Sequence, residues 1–211
     1  MAARTDDART EILRLGGRNG EQQYAQLMRA AEAYDAGRDG EAVKTLQPLR
    51  DQLPEAAAVR ELLGLSLYRE GRYGAAAEEL EDFAKITGSI DQVPVLMDCY
   101  RAQRHWKKVA ERFQKLQTSS PPPSGALATE GRIVAAGALA DQGKLDEALT
   151  LLRRKDDEVK RPKEHHLRLW YALADLEERA GDLPRARALF DRIVRAEPRF
   201  ADAASRRAAL G

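Results

Sequence analysis

Glycine-led phrases are the first candidates for chemistry in this chain: GRDGEAVKTL from Gly37, EGRYGAAAEEL from Glu70 and GGRNGE over 16–21. Glycine turns can cradle phosphate, but a phosphate loop ends in Gly-Lys-Ser/Thr and follows a strand, and none of these phrases does so. His105, His165 and His166 are the three histidines, and none has a second ligand at the spacing of H-E-x-x-H. Helical geometry sends the side chains of the adjacent pair in different directions. The single cysteine, Cys99, sits among Val95, Leu96, Met97 and Tyr100, the setting of a buried small hydrophobe. No Gly-x-Ser-x-Gly phrase occurs, and no pair of carboxylates stands out for acid–base work. The reading is of a protein that is not an enzyme, with no catalytic residue, metal or cofactor.

Composition points the same way. Thirty-five Lys and Arg stand against thirty-four Asp and Glu, so no global field draws the 211-residue chain to nucleic acid or membrane. Charged residues make up 33% and aromatics 6%, so Ala and Leu must supply most buried contacts, which suits thin layers of close-packed helices. One cysteine excludes an intrachain disulfide and fits a reducing compartment. The opening MAARTDDARTEILRLGGRNG has no apolar leader core, and nowhere do 18 apolar residues run together, so a soluble cytoplasmic protein is expected.

The glycine phrases recur with their packing residues. Gly37, Asp39, Ala42, Leu46 and Pro54 are followed by Gly71, Tyr73, Ala76, Leu80 and Gly88, 34 residues on, and by Arg104, Trp106, Val109, Phe113 and Pro121, 33 further. After a Pro-rich break come Gly143, Leu145, Ala148 and Leu152, then Gly181, Leu183, Ala186, Phe190 and Pro198. Apolar residues fall at helical spacing on both sides of each turn, as in Val59, Leu62, Leu63 and Leu67 before Gly71 and Tyr73, Ala76, Leu80 and Phe83 after it. Each unit is therefore a helical hairpin whose glycine closes the first helix. Pro48, inside the second helix of the first unit, should kink it.

With Trp170, Leu173, Ala174, Gly181, Leu183, Ala186, Phe190 and Pro198, and Leu63, Gly64, Gly71, Tyr73 and Ala76 earlier, the chain resembles the tetratricopeptide repeat family. The resemblance implies an all-α fold, an α-solenoid of about five such hairpins with a C-terminal capping helix. The expected division is an N-terminal arm or short helix (1–20), an array (21–198, units about 21–54, 55–88, 89–121, 126–160 and 163–198) and a cap (199–211). The array is read as one continuous domain, with the Pro-rich loop at 118–125 as a candidate joint and the charged run 153–166 as a hairpin extension or linker.

The resemblance further implies that first helices line a concave groove. Carried over position by position, the groove holds Tyr24, Leu27, Tyr34, Glu61, Leu65, Tyr68, Arg69, Asp98, Arg101, Ile133, Tyr171, Asp175 and Glu178. Four of the chain's six tyrosines fall there, and tyrosine is a low-entropy amphipathic contact residue. The Asn and Lys with which some family members grip a terminal carboxylate are missing. Acids exceed bases, so the expected ligand is a helix or extended peptide of another protein with apolar and Lys or Arg side chains, and the expected role is adaptor or scaffold. An alternative rests on YRAQRHWKKVAERFQK over 100–115, where Arg104, Lys107, Lys108, Arg112 and Lys115 interleave with Trp106 as a patch for RNA or another polyanion. A further alternative is a self-assembly module.

Overall fold

The computed structural model describes residues 2–153 and 159–211, so the part of the charged run at 154–158 lies outside the described residues. Every regular element among the described residues is helical. They fall into two compact units, Met1–His105 and Trp106–Gly211. The first contains α1 (Ala2–Gly16), α2 (Gly20–Asp35), α3 (Asp39–Gln52), α4 (Ala57–Arg69), α5 (Tyr73–Thr87) and α6 (Val93–Ala102). The second contains α7 (Trp106–Gln117), α8 (Gly125–Asp141), α9 (Leu145–Arg153), α10 (Glu164–Arg179), α11 (Leu183–Ala196) and α12 (Ala203–Ala209). In the first, α2 pairs with α3 and α4 with α5, while in the second α8 pairs with α9 and α10 with α11.

The turn that ends each first helix is the same. Gly71 has φ 73°, its N–H donates to Tyr68 O at 2.9 Å, and the Arg72 N–H reaches back to Leu67 O at 2.9 Å. That double closure satisfies carbonyls the helix end would otherwise leave open, and it requires a left-handed residue. The Arg38, Lys144 and Asp182 N–H groups close their turns in the same way, onto Ala33, Leu139 and Glu177. The turn after α6 keeps the geometry without the glycine: Arg104 has φ 59°, and the His105 N–H reaches Tyr100 O at 2.8 Å. A side chain in that region costs about 1–2 kcal/mol, and the greater freedom of glycine in the unfolded chain returns part of it. Arg104→Gly should therefore stabilise the protein by about 0.5–1 kcal/mol, seen as a thermal midpoint raised by about 2 °C.

Within the hairpins, small residues set the spacing. A Cβ on Gly64 of α4 would lie 2.8 Å from both Cγ and Cδ2 of Leu80 on α5, and Leu80 is buried. In the second unit a Cβ on Gly131 of α8 would meet Leu116 of α7 at 2.4 Å. The first unit's core runs through Leu46, Leu49, Leu63, Leu67, Leu80, Leu96 and Met97, and the second's through Leu149, Leu152, Leu169, Trp170, Leu173, Phe190 and Ile193. Helix α3 continues through Pro48 to Gln52. The buried Leu46 and Leu49 on either side of Pro48 hold that turn in the core.

Two features tie distant segments. Glu11 of α1 caps α4, its carboxylate accepting the Ala57 N–H at 2.9 Å and the Ala58 N–H at 3.1 Å, where the helix has no side-chain cap of its own. Buried carboxylates act as arginine hubs: Glu79 takes Arg50 at 2.6 Å and Arg60 at 2.7 Å, and Glu177, 0% exposed, takes Arg153 at 2.5 Å and Arg185 at 3.1 Å.

Candidate functional site

In the first unit, α2, α4 and α6 are neighbouring first helices joined by polar bridges. The Arg69 guanidinium lies 3.5 Å over the Tyr34 ring, donates to Tyr34 O at 2.9 Å and pairs with Asp39 at 3.5 Å. The Tyr68 hydroxyl donates to Asp98 Oδ2 at 2.7 Å, and Arg101 approaches the other oxygen of Asp98 at 3.4 Å. Burial, then the Asp98 hydrogen bond, raises the Tyr68 pKa above that of a free phenol. Burial also raises the Tyr34 pKa, with Arg69 opposing it. Gln92, at the start of α6, donates to Glu61 at 2.8 Å. Tyr24 lies beneath Arg9 of α1, and Leu65 is half-buried. The structure thus brings Tyr34 to Arg69, Tyr68 to Asp98 and Arg101, and Glu61 to Gln92. Leu27, by contrast, is only 5% exposed and belongs to the core, because an apolar side chain at that register packs inward.

The second unit engages its expected groove residues with its own C-terminal helix. Arg206 of α12 donates to Asp175 at 3.0 Å, to Glu178 at 2.7 Å and to the Tyr171 hydroxyl at 3.3 Å, and its guanidinium lies 4.8 Å over the Phe190 ring. Burial opposes this charge, but the hydrogen bonds it donates to Tyr171, Glu178 and Asp175 outweigh it and leave the Arg206 pKa raised. The Tyr171 hydroxyl donates to Asp202 at 2.6 Å. Ile133 is partly buried against the unit's core. Repeat register is a signal for these contacts: Glu61 and Tyr171 each precede their turn glycine by 10 residues, while Gln92 and Asp202 each follow it by 21. The same two register positions meet in both places, so α12 stands where the first helix of a further hairpin would.

Of the basic patch, Arg104 belongs to the first unit and Lys107, Lys108, Arg112 and Lys115 to α7 in the second. The Lys107 side chain is 92% exposed and only 3.9 Å from Glu111. The adjacent histidines meet instead of diverging, because they lie in the first turn of α10: their rings are 4.0 Å apart, His166 accepts the Lys163 N–H on Nδ1 at 2.9 Å, and burial followed by the neighbouring histidine lowers its pKa. Among the described residues, no three His, Cys, Asp or Glu side chains gather as a metal set, and no helix is long and apolar enough to cross a membrane.

Cys99 is fully buried, and burial, then the charge of Asp98, pushes its pKa up to about 12. Only the thiolate reacts with disulfide reagents, so the native chain should resist an aromatic disulfide at pH 8 and release one equivalent on unfolding in urea. Rapid native labelling would place Cys99 at an accessible surface.

Family models described as tetratricopeptide repeat match residues 27–88 and 139–210. No curated protein matches the sequence. Among solved structures, the chain is similar to TTC0263, a thermophilic tetratricopeptide protein of Thermus thermophilus, with TM-score 0.67, 17% identity, and coverage of 89% of this chain and 98% of that one. Pseudomonas aeruginosa pilF gives TM-score 0.64 and 12% identity over 98% of this chain and 90% of that one. YrrB, whose structure is described as having an unusual peptide-binding site, gives TM-score 0.54 and 16% identity over 85% of this chain and 89% of that one. At these identities the similarity shows the fold, an α-solenoid of helical hairpins. Tetratricopeptide repeats generally mediate protein–protein interaction and are typically scaffolds. The hairpins, their left-handed turns and the two matched stretches together establish that this chain belongs to the tetratricopeptide repeat family.

Proposed function

We propose that the protein is an adaptor or scaffold whose first-helix face in the first unit, built on Tyr24, Tyr34, Glu61, Leu65, Tyr68, Arg69 and Asp98, binds a helix or extended segment of another protein. The segment carries apolar anchors and Lys or Arg, and the setting is cytoplasmic. The observation that carries this reading is Arg206: on α10, a tyrosine with two carboxylates takes an arginine from a helix of the same chain. Charge-assisted hydrogen bonds to two carboxylates and an aromatic face make a directional seat for a guanidinium. Tyr171, Asp175 and Glu178 are engaged by that arginine, and we assign the partner to the α2–α4–α6 face, where Tyr68 and Asp98 form a comparable tyrosine–carboxylate pair on neighbouring first helices. YrrB's peptide-binding site is a precedent within the fold.

Selecting displayed peptides on the purified chain tests this. Bound sequences should combine aliphatic or aromatic residues with Lys or Arg, and Tyr34→Ala or Leu65→Arg should weaken them by about tenfold or more, equivalent to about 1.4 kcal/mol. Failure to select any peptide, or affinities unchanged in both variants, would reject the reading.

A further inference from the structure

Helix α12 is a slight element on a strongly built seat. It has seven residues, of which Ala203 is buried, while Phe200 and Leu210 at its two ends are partly buried against the unit's core. A helix this short has little stability of its own. The connection from α11 runs through Ala201 at φ 47°, a left-handed conformation that disfavours any residue with a Cβ. Much of what holds α12 is charge: Arg206 on Asp175 and Glu178 of α10, and Arg207 on Asp191 of α11. Ion pairs that reach solvent are screened by salt and exchange readily with water. With Arg206 in place, the Asp175 and Glu178 side chains are still 41% and 36% exposed, and Arg179 approaches Asp175 only to 4.0 Å. An incoming guanidinium therefore reaches the carboxylates before Arg206 has left them.

We propose that α12 is a displaceable plug over a second partner site, and that a helix of another protein carrying an arginine takes the seat on α10 when α12 lifts away. The face that α12 presents defines the ligand. Ala203, Arg206 and Leu210 recur at i, i+3 and i+7, which is one side of a helix. The incoming helix thus has a small residue one turn before its arginine and a leucine one turn after it. Asp175 and Glu178 receive the guanidinium, and the Phe190 ring, 4.8 Å away, backs it. A longer helix with that face gains contacts that seven residues lack and needs no left-handed hinge, so it outcompetes the tethered segment. The site belongs to the second unit and does not depend on the α2–α4–α6 face.

A fluorescein-labelled peptide of residues 199–211 titrated with the full chain, read by anisotropy, tests the assignment. Arg206→Glu in the chain sets a carboxylate against Asp175 and Glu178 and frees the seat, so it should bind the peptide about tenfold or more tightly than the unaltered chain, whose seat is closed most of the time. Adding Asp175→Asn and Glu178→Gln should remove that gain, and the peptide carrying Arg206→Ala should bind neither chain. In the unaltered chain, the amides of α12 should exchange with deuterium faster than those of α10 and α11, and faster still as salt rises. Equal affinity in the unaltered chain and Arg206→Glu, affinity untouched by the Asp175 and Glu178 changes, or α12 amides as protected as those of α10 would overturn the proposal. So would a mass by light scattering that doubles with concentration and falls back in Arg206→Glu, because α12 of a second copy would then be the ligand.

Discussion

Replacing Gly64 with leucine should cost the protein about 3 kcal/mol or more, the largest effect expected of any single change to the hairpin packing. In an exposed helix, removing a glycine gains about 1 kcal/mol from helix propensity. At Gly64 the sign reverses, because even a Cβ would sit 2.8 Å from two carbons of Leu80, whose side chain is 1% exposed and has no space to yield into. Gly64→Ala should therefore already destabilise, and Gly64→Leu should force α4 and α5 apart. Urea denaturation followed by circular dichroism measures both. Adding Leu80→Ala should recover much of the loss in Gly64→Leu, since a new side chain then fills the space the old one leaves. Strictly additive losses in that pair would show that the two residues do not share the contact.

The second large effect concerns a buried charge. Glu177 is 0% exposed and is compensated by Arg153 at 2.5 Å and Arg185 at 3.1 Å, whose side chains are 38% and 44% exposed. The two arginines can return to water, whereas the carboxylate cannot. Arg153→Ala should accordingly cost about 3 kcal/mol, because it leaves a desolvated anion short of its bidentate partner. Glu177→Leu in the same background should restore most of that, a buried apolar side chain needing no counter-charge. Thermal midpoints of the two single variants and the double variant decide it. A double variant no more stable than Arg153→Ala would mean that the arginine acts through packing of its stem instead.

These hubs also mark where the sequence is silent. Glu177 and Glu79 sit in charge-rich helices and look like surface residues. Only the arginines that converge on them from neighbouring helices explain their burial, and pairwise convergence across roughly 20–30 residues leaves no local pattern. The hairpins, by contrast, are legible because each turn demands a left-handed residue and each interface demands small ones, and Gly71, Gly64 and Ala76 carry those demands as residue types. Register alone places Arg104 in its turn, although its type hides the geometry. Family register puts Leu27 in the groove, yet its apolar side chain is buried. The seat of Arg206 escapes a reading by motif because the residues that meet there lie on separate helices, and only register relates them, Asp202 following Gly181 by 21 residues as Gln92 follows Gly71.

Residue-resolved chemical-shift mapping with a selected peptide tests the central claim most directly. Amide and side-chain signals of Tyr24, Tyr34, Leu65 and Tyr68 should move on titration while those of α3 and α5 stay in place, and Leu65→Arg should abolish the shifts with the spectrum otherwise intact. Shifts confined to α3 and α5, or persisting undiminished in Leu65→Arg, would contradict a partner site on the first-helix face.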